Sequence, residues 1–351
     1  MKVVFILPVG GGGGGAHSVI QEANEMISMG IDVHVAINSG NMMSMKVNYA
    51  DMPLVVGRFI EFKNETDLAA NIAEGSIVVA TIFTSVKILK AIKKLKPSVI
   101  PAYYVQDYEP LFSEKGSPLW QEAYDSYTAI PGLNIFTKTQ WQQNIVYKNH
   151  GVKVAKVEPS IDHSVYFPNL DYNKLRLSAM VRPKSPRRAP YRTMRILRAV
   201  KKTLPQLSVD IFGCTNDELE SSNVVRDFEF TNHGVLKRVQ VASLLRGSGM
   251  FLDASDFQAF GRTSLEAMAC GCVPVIPAVG GGYEYAEHGI NTFVHNMHNE
   301  DEVAANIIQF FEMPKIARRK MINAAIDKSQ EFSVRKAALS ELRFFEKISG
   351  N

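Results

Sequence analysis

The sequence predicts an α/β protein with two parallel sheets, each wrapped by helices, and three observations carry that expectation. At 351 residues the chain exceeds what one hydrophobic core usually organises. Short β-branched runs alternate with helical stretches along its whole length. A stretch at 158–168 with two prolines and little periodicity separates two such series.

In the first series the strands are expected at Val3 to Val9, Ile31 to Ile37, Ile77 to Phe83, Val99 to Gln106, Asn134 to Thr139 and Val152 to Glu158. The second series runs Leu175 to Val181, Val209 to Gly213, Phe228 to Thr231, Met250 to Ala254, Val273 to Ile276 and Thr292 to His295. The boundary is placed near residue 170, giving domains 1–170 and 171–330. The tail 331–351 reads as a helix capped by Ser333, running to Ile348 and packing back on the first domain.

Apolar content of 46% against 21% charged excludes a disordered or fibrous chain. The apolar opening Met1–Leu7 is too short for a signal core or for a membrane span of about 20 residues, and no later run is long enough either. Cys214, Cys270 and Cys272 form an odd set without paired spacing, which points away from disulfides and zinc and toward a reducing, cytoplasmic location. A net charge of +4 over this length gives no ground for nucleic-acid binding. Lysines between apolar positions at 87–96 describe an amphipathic helix, read either as a solvated face or as a peripheral contact with the inner face of the cell membrane.

The first expected strand runs into Gly10–Gly15 and then a helix. Side-chain-free residues there let backbone amides, Gly12 and Gly13 among them, approach an anion or a sugar. A flexible surface loop accounts for the same glycines. Asn38 stands where a dinucleotide fold wants a ribose-binding acid, which argues against nicotinamide or flavin, and no cofactor is expected. His17 either touches an acceptor or is a helix-start surface residue.

The densest chemistry lies between Asp256 and Glu287. A strand ends, a loop carries Phe260-Gly261, and a helix starts near Arg262, so the amides of Gly261, Arg262 and Thr263 point at a phosphate site. Glu266, one turn in, accepts from ribose hydroxyls, and Gly271 ends the helix. Gly280–Gly282 offer a second close backbone approach. Asp253 and Asp256 make no DxD pair, and no metal is assigned.

This segment resembles the donor site of glycosyltransferase family 4, whose pattern is E-x7-E inside ExFGxxxxEAxAxG. Phe260, Gly261, Glu266, Ala267, Ala269 and Gly271 match, while Gln258 replaces the first glutamate, and an amide hydrogen-bonds a hydroxyl without carrying charge. The loop Arg182-Pro183-Lys184-Ser185-Pro186-Arg187-Arg188 is similar to the family's Arg followed by Lys, and fixed cations there stabilise a departing diphosphate. The 157–168 stretch is similar to the family's interdomain signature.

The resemblance implies the GT-B fold, two Rossmann-like domains facing each other across a cleft, with a nucleotide-diphosphate sugar as co-substrate. Arg182, Arg188, Gln258 and Asp107 are then the catalytic candidates, Asp107 reading equally as a cap of the following turn. Gly12, Gly13, Arg187, Gly213, Leu236 and residues 260–263 with Glu266 bind the donor, and His17, Gln106 and Glu109 the acceptor. The loop Gln106-Asp107-Tyr108-Glu109-Pro110 lacks the histidine many members have there, and with the arginine loop it is similar to bacterial rhamnosyltransferases that build surface polysaccharide, including lipopolysaccharide. A retaining, metal-independent hexosyl transfer to a glycan or lipid-linked glycan follows from the resemblance. The alternatives are a catalytically impaired binding subunit and a sugar-nucleotide epimerase of the same shape.

Overall fold

The structure, a computed structural model, describes residues 1–350. Contacts divide the chain into two units, one made of Met1–Ser160 and the chain from Ser333 on, the other of Ile161–Phe332.

The first unit holds strands β1 (Lys2–Ile6), β2 (Asp32–Asn38), β3 (Phe59–Phe62), β4 (Ile77–Ala80), β5 (Ile100–Val105), β6 (Asn134–Thr137) and β7 (Val154–Lys156). All pair in parallel, in the order β3-β2-β1-β4-β5-β6-β7. Its helices are α1 (Gly14–Ser28), α2 (Met42–Asn48), α3 (Pro53–Val56), α4 (Glu65–Asn71), α5 (Phe83–Leu95), α6 (Pro118–Asp125) and α7 (Gln140–His150). Side chains alternate across a strand, so Val3 and Phe5 of β1 enter one core while Val4 and Ile6 enter the other. Burial on both faces explains why these strands read as unbroken apolar runs.

The second unit has strands β8 (Arg176–Met180), β9 (Ser208–Phe212), β10 (Thr231–Asn232), β11 (Met250–Leu252), β12 (Val273–Pro277) and β13 (Phe293–His295), ordered β10-β9-β8-β11-β12-β13 and again parallel. Around them lie α8 (Pro190–Thr203), α9 (Asn216–Glu220), α10 (Arg238–Arg246), α11 (Arg262–Ala269), α12 (Glu300–Glu312) and α13 (Lys315–Ser329). In each sheet the strand order reverses once, between β1 and β4 and between β8 and β11, and ligands of open α/β sheets bind outside the strand ends at such a point.

The last helix, α14 (Val334–Ser349), returns to the first unit, where Ala338, Leu342 and Phe345 join the core of β1 and α1. Ser333 caps it by accepting the amide of Lys336 at 3.2 Å. Fully burying a side chain such as Phe345 contributes about 1.5–3 kcal/mol, enough to hold the tail.

Several details differ from the sequence reading. The edge strand β3 was not expected. The strand expected at Phe228 to Thr231 is reduced to Thr231–Asn232, because Phe228 and Phe230 pack on each other, 5.1 Å between ring centres, and cover the core instead. Residues 161–170, placed with the first domain, belong to the second unit, where Ile161 and Tyr166 are buried against Leu265 and Met268. β11 stops at Leu252 rather than Ala254, because the Asp253 carboxylate takes the amide of Ser255 and turns the chain. Among the described residues, no helix is long and apolar enough to cross a membrane.

Candidate functional site

At the reversal point of the second sheet, the loops after β8 and β11 are tied together. Asp256 donates its amide to the Arg187 carbonyl at 2.9 Å, and Arg192 Nη1 reaches the Ala254 carbonyl at 3.0 Å and the Asp256 carboxylate at 2.9 Å. The Arg187 guanidinium lies over the Phe257 ring. A small recess results, lined by Arg188 from the first loop, Asp253 and Ser255 from the second, and Thr263 from the first turn of α11.

α11 is built to leave its N-terminus open. Gly261 caps it in the left-handed region (φ 82°), no side chain caps it, and a helix start presents amides and positive potential to an anion. Gly271, also left-handed at φ 69°, ends it as expected from the sequence. Phe260 packs edge-on against Tyr285, 5.5 Å between ring centres. Glu266 is buried, its carboxylate held by Arg262 Nε at 3.2 Å and by the Tyr166 hydroxyl. Burial raises its pKa, and the Arg262 charge opposes that shift. Gln258 is buried too, donating to Asp253 at 2.7 Å.

Neither Arg182 nor Arg188 makes an ion pair among the described residues, and burial, then the like charge of Arg188, lowers the pKa of Arg182. Arg188 and the first turn of α11 line one recess, where a cation and an open helix start both favour an anion. Gly213 stands at φ 106°, its amide bonded to the Gly234 carbonyl at 2.8 Å, so the loop leading to Leu236 lies at the next strand end.

The first unit places its candidates separately. The Gly10 carbonyl is anchored by Ser44 Oγ at 2.6 Å and Asn48 Nδ2 at 3.1 Å, while Gly12 and Gly13 face open space. Gln106 donates to the Thr81 carbonyl at 3.1 Å, and its Oε1 would lie 2.8 Å from a Cβ on Gly15, so the glycine run and the end of β5 meet. His17 stacks on Tyr49. Asp107 caps the amide of Tyr108 at 2.9 Å. Glu109 turns inward, taking the Phe83 amide at 2.6 Å and the Tyr103 hydroxyl at 2.8 Å, and burial pushes its pKa up to about 7. Sequence reasoning missed the carboxylate of Asp253, taken as lying inside the strand. The serine two residues on, able to form a turn with it, was the available signal.

Residues 180–328 match the family described as Glycosyl transferases group 1. HepE from Anabaena, solved with UDP and glucose, has the same fold with a TM-score of 0.81 at 15% identity, over 99% of this chain and 100% of that one. The fold is GT-B, and the family match lies within its second unit. The GT-B likeness extends to sucrose-phosphate synthase from Thermosynechococcus elongatus (TM-score 0.79, 12% identity, 100% of both chains). It also includes TarM from S. aureus, solved with UDP among its ligands (TM-score 0.76, 10% identity, 100% of both chains). In sequence, the chain is 39% identical over 67 residues to sucrose synthase 4 of Oryza sativa subsp. japonica, which is 19% of this chain and 8% of that protein. It is 33% identical over 120 residues to sucrose synthase 2 of Pisum sativum, 33% of this chain and 15% of that protein. These stretches span well under a fifth of the curated relatives' own length. The matched stretch includes Arg182, Gln258 and α11 as well as the recess residues Arg188, Asp253, Ser255 and Thr263.

Proposed function

We propose that the chain is a retaining, family 4-like glycosyltransferase that moves a hexosyl group from a nucleotide-diphosphate sugar to a glycan or lipid-linked glycan of a bacterial surface polysaccharide. The observation that carries this reading is the meeting of Arg188, near Arg182, with the uncapped start of α11 at the reversal point of the second sheet. UDP and UDP-glucose bound to the HepE structures support a nucleotide-sugar donor.

In this reading the diphosphate lies between the arginine loop and α11, with Glu266 on ribose hydroxyls. Gly213 and Leu236 lie toward the base. The bond from the anomeric carbon to the diphosphate oxygen breaks toward an oxocarbenium-like sugar. The departing oxygen's charge is met by Arg182, Arg188 and the amides of Gly261 to Thr263. The acceptor hydroxyl attacks from the same face, and its proton passes to that oxygen. No protein nucleophile is required, so the protein's work is positioning and charge stabilisation. The end of the first sheet, with Gly12, Gly13, His17, Gln106 and Asp107, is assigned to the sugars, and the lysine face of α5 to the membrane surface.

The test is nucleotide release from UDP-, dTDP- and GDP-sugars with oligosaccharide and lipid-linked acceptors, alongside a thermal-shift screen, since a ligand bound only by the folded state raises its Tm. Acceptor-dependent release with one donor is expected. Binding without release indicates a binding subunit, and a changed free sugar without acceptor an epimerase.

A further inference from the structure

Asp253 and Gln258 form one buried polar unit. Gln258 Nε2 donates to Asp253 Oδ2 at 2.7 Å and to Ser255 Oγ at 3.0 Å, while Ser255 gives Asp253 Oδ1 its hydroxyl at 2.5 Å and its amide at 3.2 Å. A carboxylate only accepts, so the amide must turn its NH2 toward Asp253. Both of that group's hydrogens are then committed, and Oε1 accepts no bond from the described residues. The backbone of Gln258 is pinned as well, its amide bonding the Val279 carbonyl at 3.3 Å and its carbonyl taking the Gly281 amide at 2.8 Å. Gly280 lies flat against it at φ 126°, where a Cβ would collide with the Gln258 backbone. Asp253 lines the same recess as Arg188 and Thr263.

We propose that Asp253 is a positioning residue that fixes Gln258 as a one-sided acceptor, its Oε1 presented to a hydroxyl of the sugar being transferred. The inference rests on the glycosyltransferase reading above. It makes glutamine at 258 a working part rather than the relic of a lost glutamate, with the carboxylate moved five residues back along the chain. A glutamate at 258 is then the wrong residue, because it sets two carboxylates face to face in a buried place. The other charged or titratable groups here do not remove that conflict. Arg188 lines the recess and in that reading is taken up by the diphosphate, Arg192 is held by Asp256, and Tyr285, whose pKa burial and then Asp253 raise, stays neutral.

The experiment measures kcat and KM for wild type, Gln258→Glu, Asp253→Asn and the reciprocal double variant from pH 5.5 to 8.5, with the donor that wild type uses. Gln258→Glu is expected to lose roughly tenfold or more in kcat at pH 8, the worth of a charge-assisted hydrogen bond, and to recover as the pH falls and the two carboxylates share a proton. Asp253→Asn loses kcat by a similar factor with no such recovery. In the double variant the carboxamide now at position 253 donates to the carboxylate now at position 258, restoring kcat at pH 8 to within roughly threefold of wild type. Gln258→Glu at wild-type rates and without pH response overturns the proposal while leaving glycosyl transfer standing. A folded wild-type chain that refuses every donor overturns both. Should Gln258→Glu not fold, the double variant decides alone, and a folded but inactive double variant overturns the pairing.

Discussion

The hydroxyl of Tyr285 donates to the carbonyl of Gly261 at 3.0 Å, and the same hydroxyl stands 2.5 Å from where a Cβ on Gly261 would lie. Gly261 is therefore required twice, by its left-handed backbone and by the approach of Tyr285. Gly261→Ala is expected to cost about 1–3 kcal/mol in urea denaturation and to weaken nucleotide-sugar binding by roughly tenfold or more, because the start of α11 must shift. Gly271→Ala is the control. It is strained at φ 69° but meets only ordinary contacts beyond 3.4 Å, so it loses stability without losing donor affinity.

Much of this site was legible because its chemistry is local. Gly261, Glu266 and Gly271 fall within one loop and one short helix, and spacing alone places an open helix start, a carboxylate one turn in and a left-handed stop. The alternating apolar runs likewise delivered both parallel sheets. β3 escaped because it is a short edge strand in which Phe59 and Ile60 are only half buried and Glu61 is exposed, so no strong pattern marks it. The pairing of Asp253 with Gln258 escaped because it depends on a turn that ends β11 two residues early. Partners far apart in the chain, such as Glu22, Lys138 and Glu341, leave no local pattern at all.

The like charge of Arg188 acts against that of Arg182, so under the proposed reading their effects on stability and on binding separate. Arg188→Ala is expected to leave the Tm of the unliganded protein unchanged or higher. The shift induced by a nucleotide sugar should fall, corresponding to roughly 10- to 100-fold weaker binding. Arg182→Ala and Glu266→Ala are each expected to abolish transfer with the circular dichroism spectrum retained. Wild-type rates in either variant would move the diphosphate elsewhere.

Glu109 gives the first unit a pH signature. Its pKa rises from an ordinary 4.5 to about 7 because burial penalises the carboxylate more than the Tyr103 hydroxyl and the Phe83 amide support it. The folded state thus binds the proton more tightly than the unfolded chain, and stability declines as pH rises from about 4.5 to about 7, then levels. The loss is at most roughly 3 kcal/mol. Glu109→Gln keeps an acceptor oxygen and removes the charge, so its Tm is expected to stay flat across that window while wild type falls. Parallel Tm curves for the two proteins would remove Glu109 as the cause.

Lys138 is a buried lysine set between two buried carboxylates. Lys138 pairs with Glu22 of α1 and stands 3.7 Å from Glu341 of α14, while Ser160 also bonds Glu22 and Gln21 Nε2 reaches Ser160 at 2.5 Å. One cation cannot balance two carboxylates, and burial, then the charge of Glu22, holds the pKa of Glu341 above its ordinary range. The cluster therefore keeps a proton on the α14 side, and the two changes that look alike should act in opposite directions. Lys138→Met removes the one cation set between the two buried carboxylates and is expected to cost about 3–5 kcal/mol. Glu341→Gln removes the carboxylate that is already burdened and is expected to leave stability at pH 7 unchanged or raise it. Urea denaturation of both variants at pH 5 and pH 7 decides the matter. A large loss in Glu341→Gln would mean that Glu341, rather than Glu22, carries the charge that Lys138 neutralises.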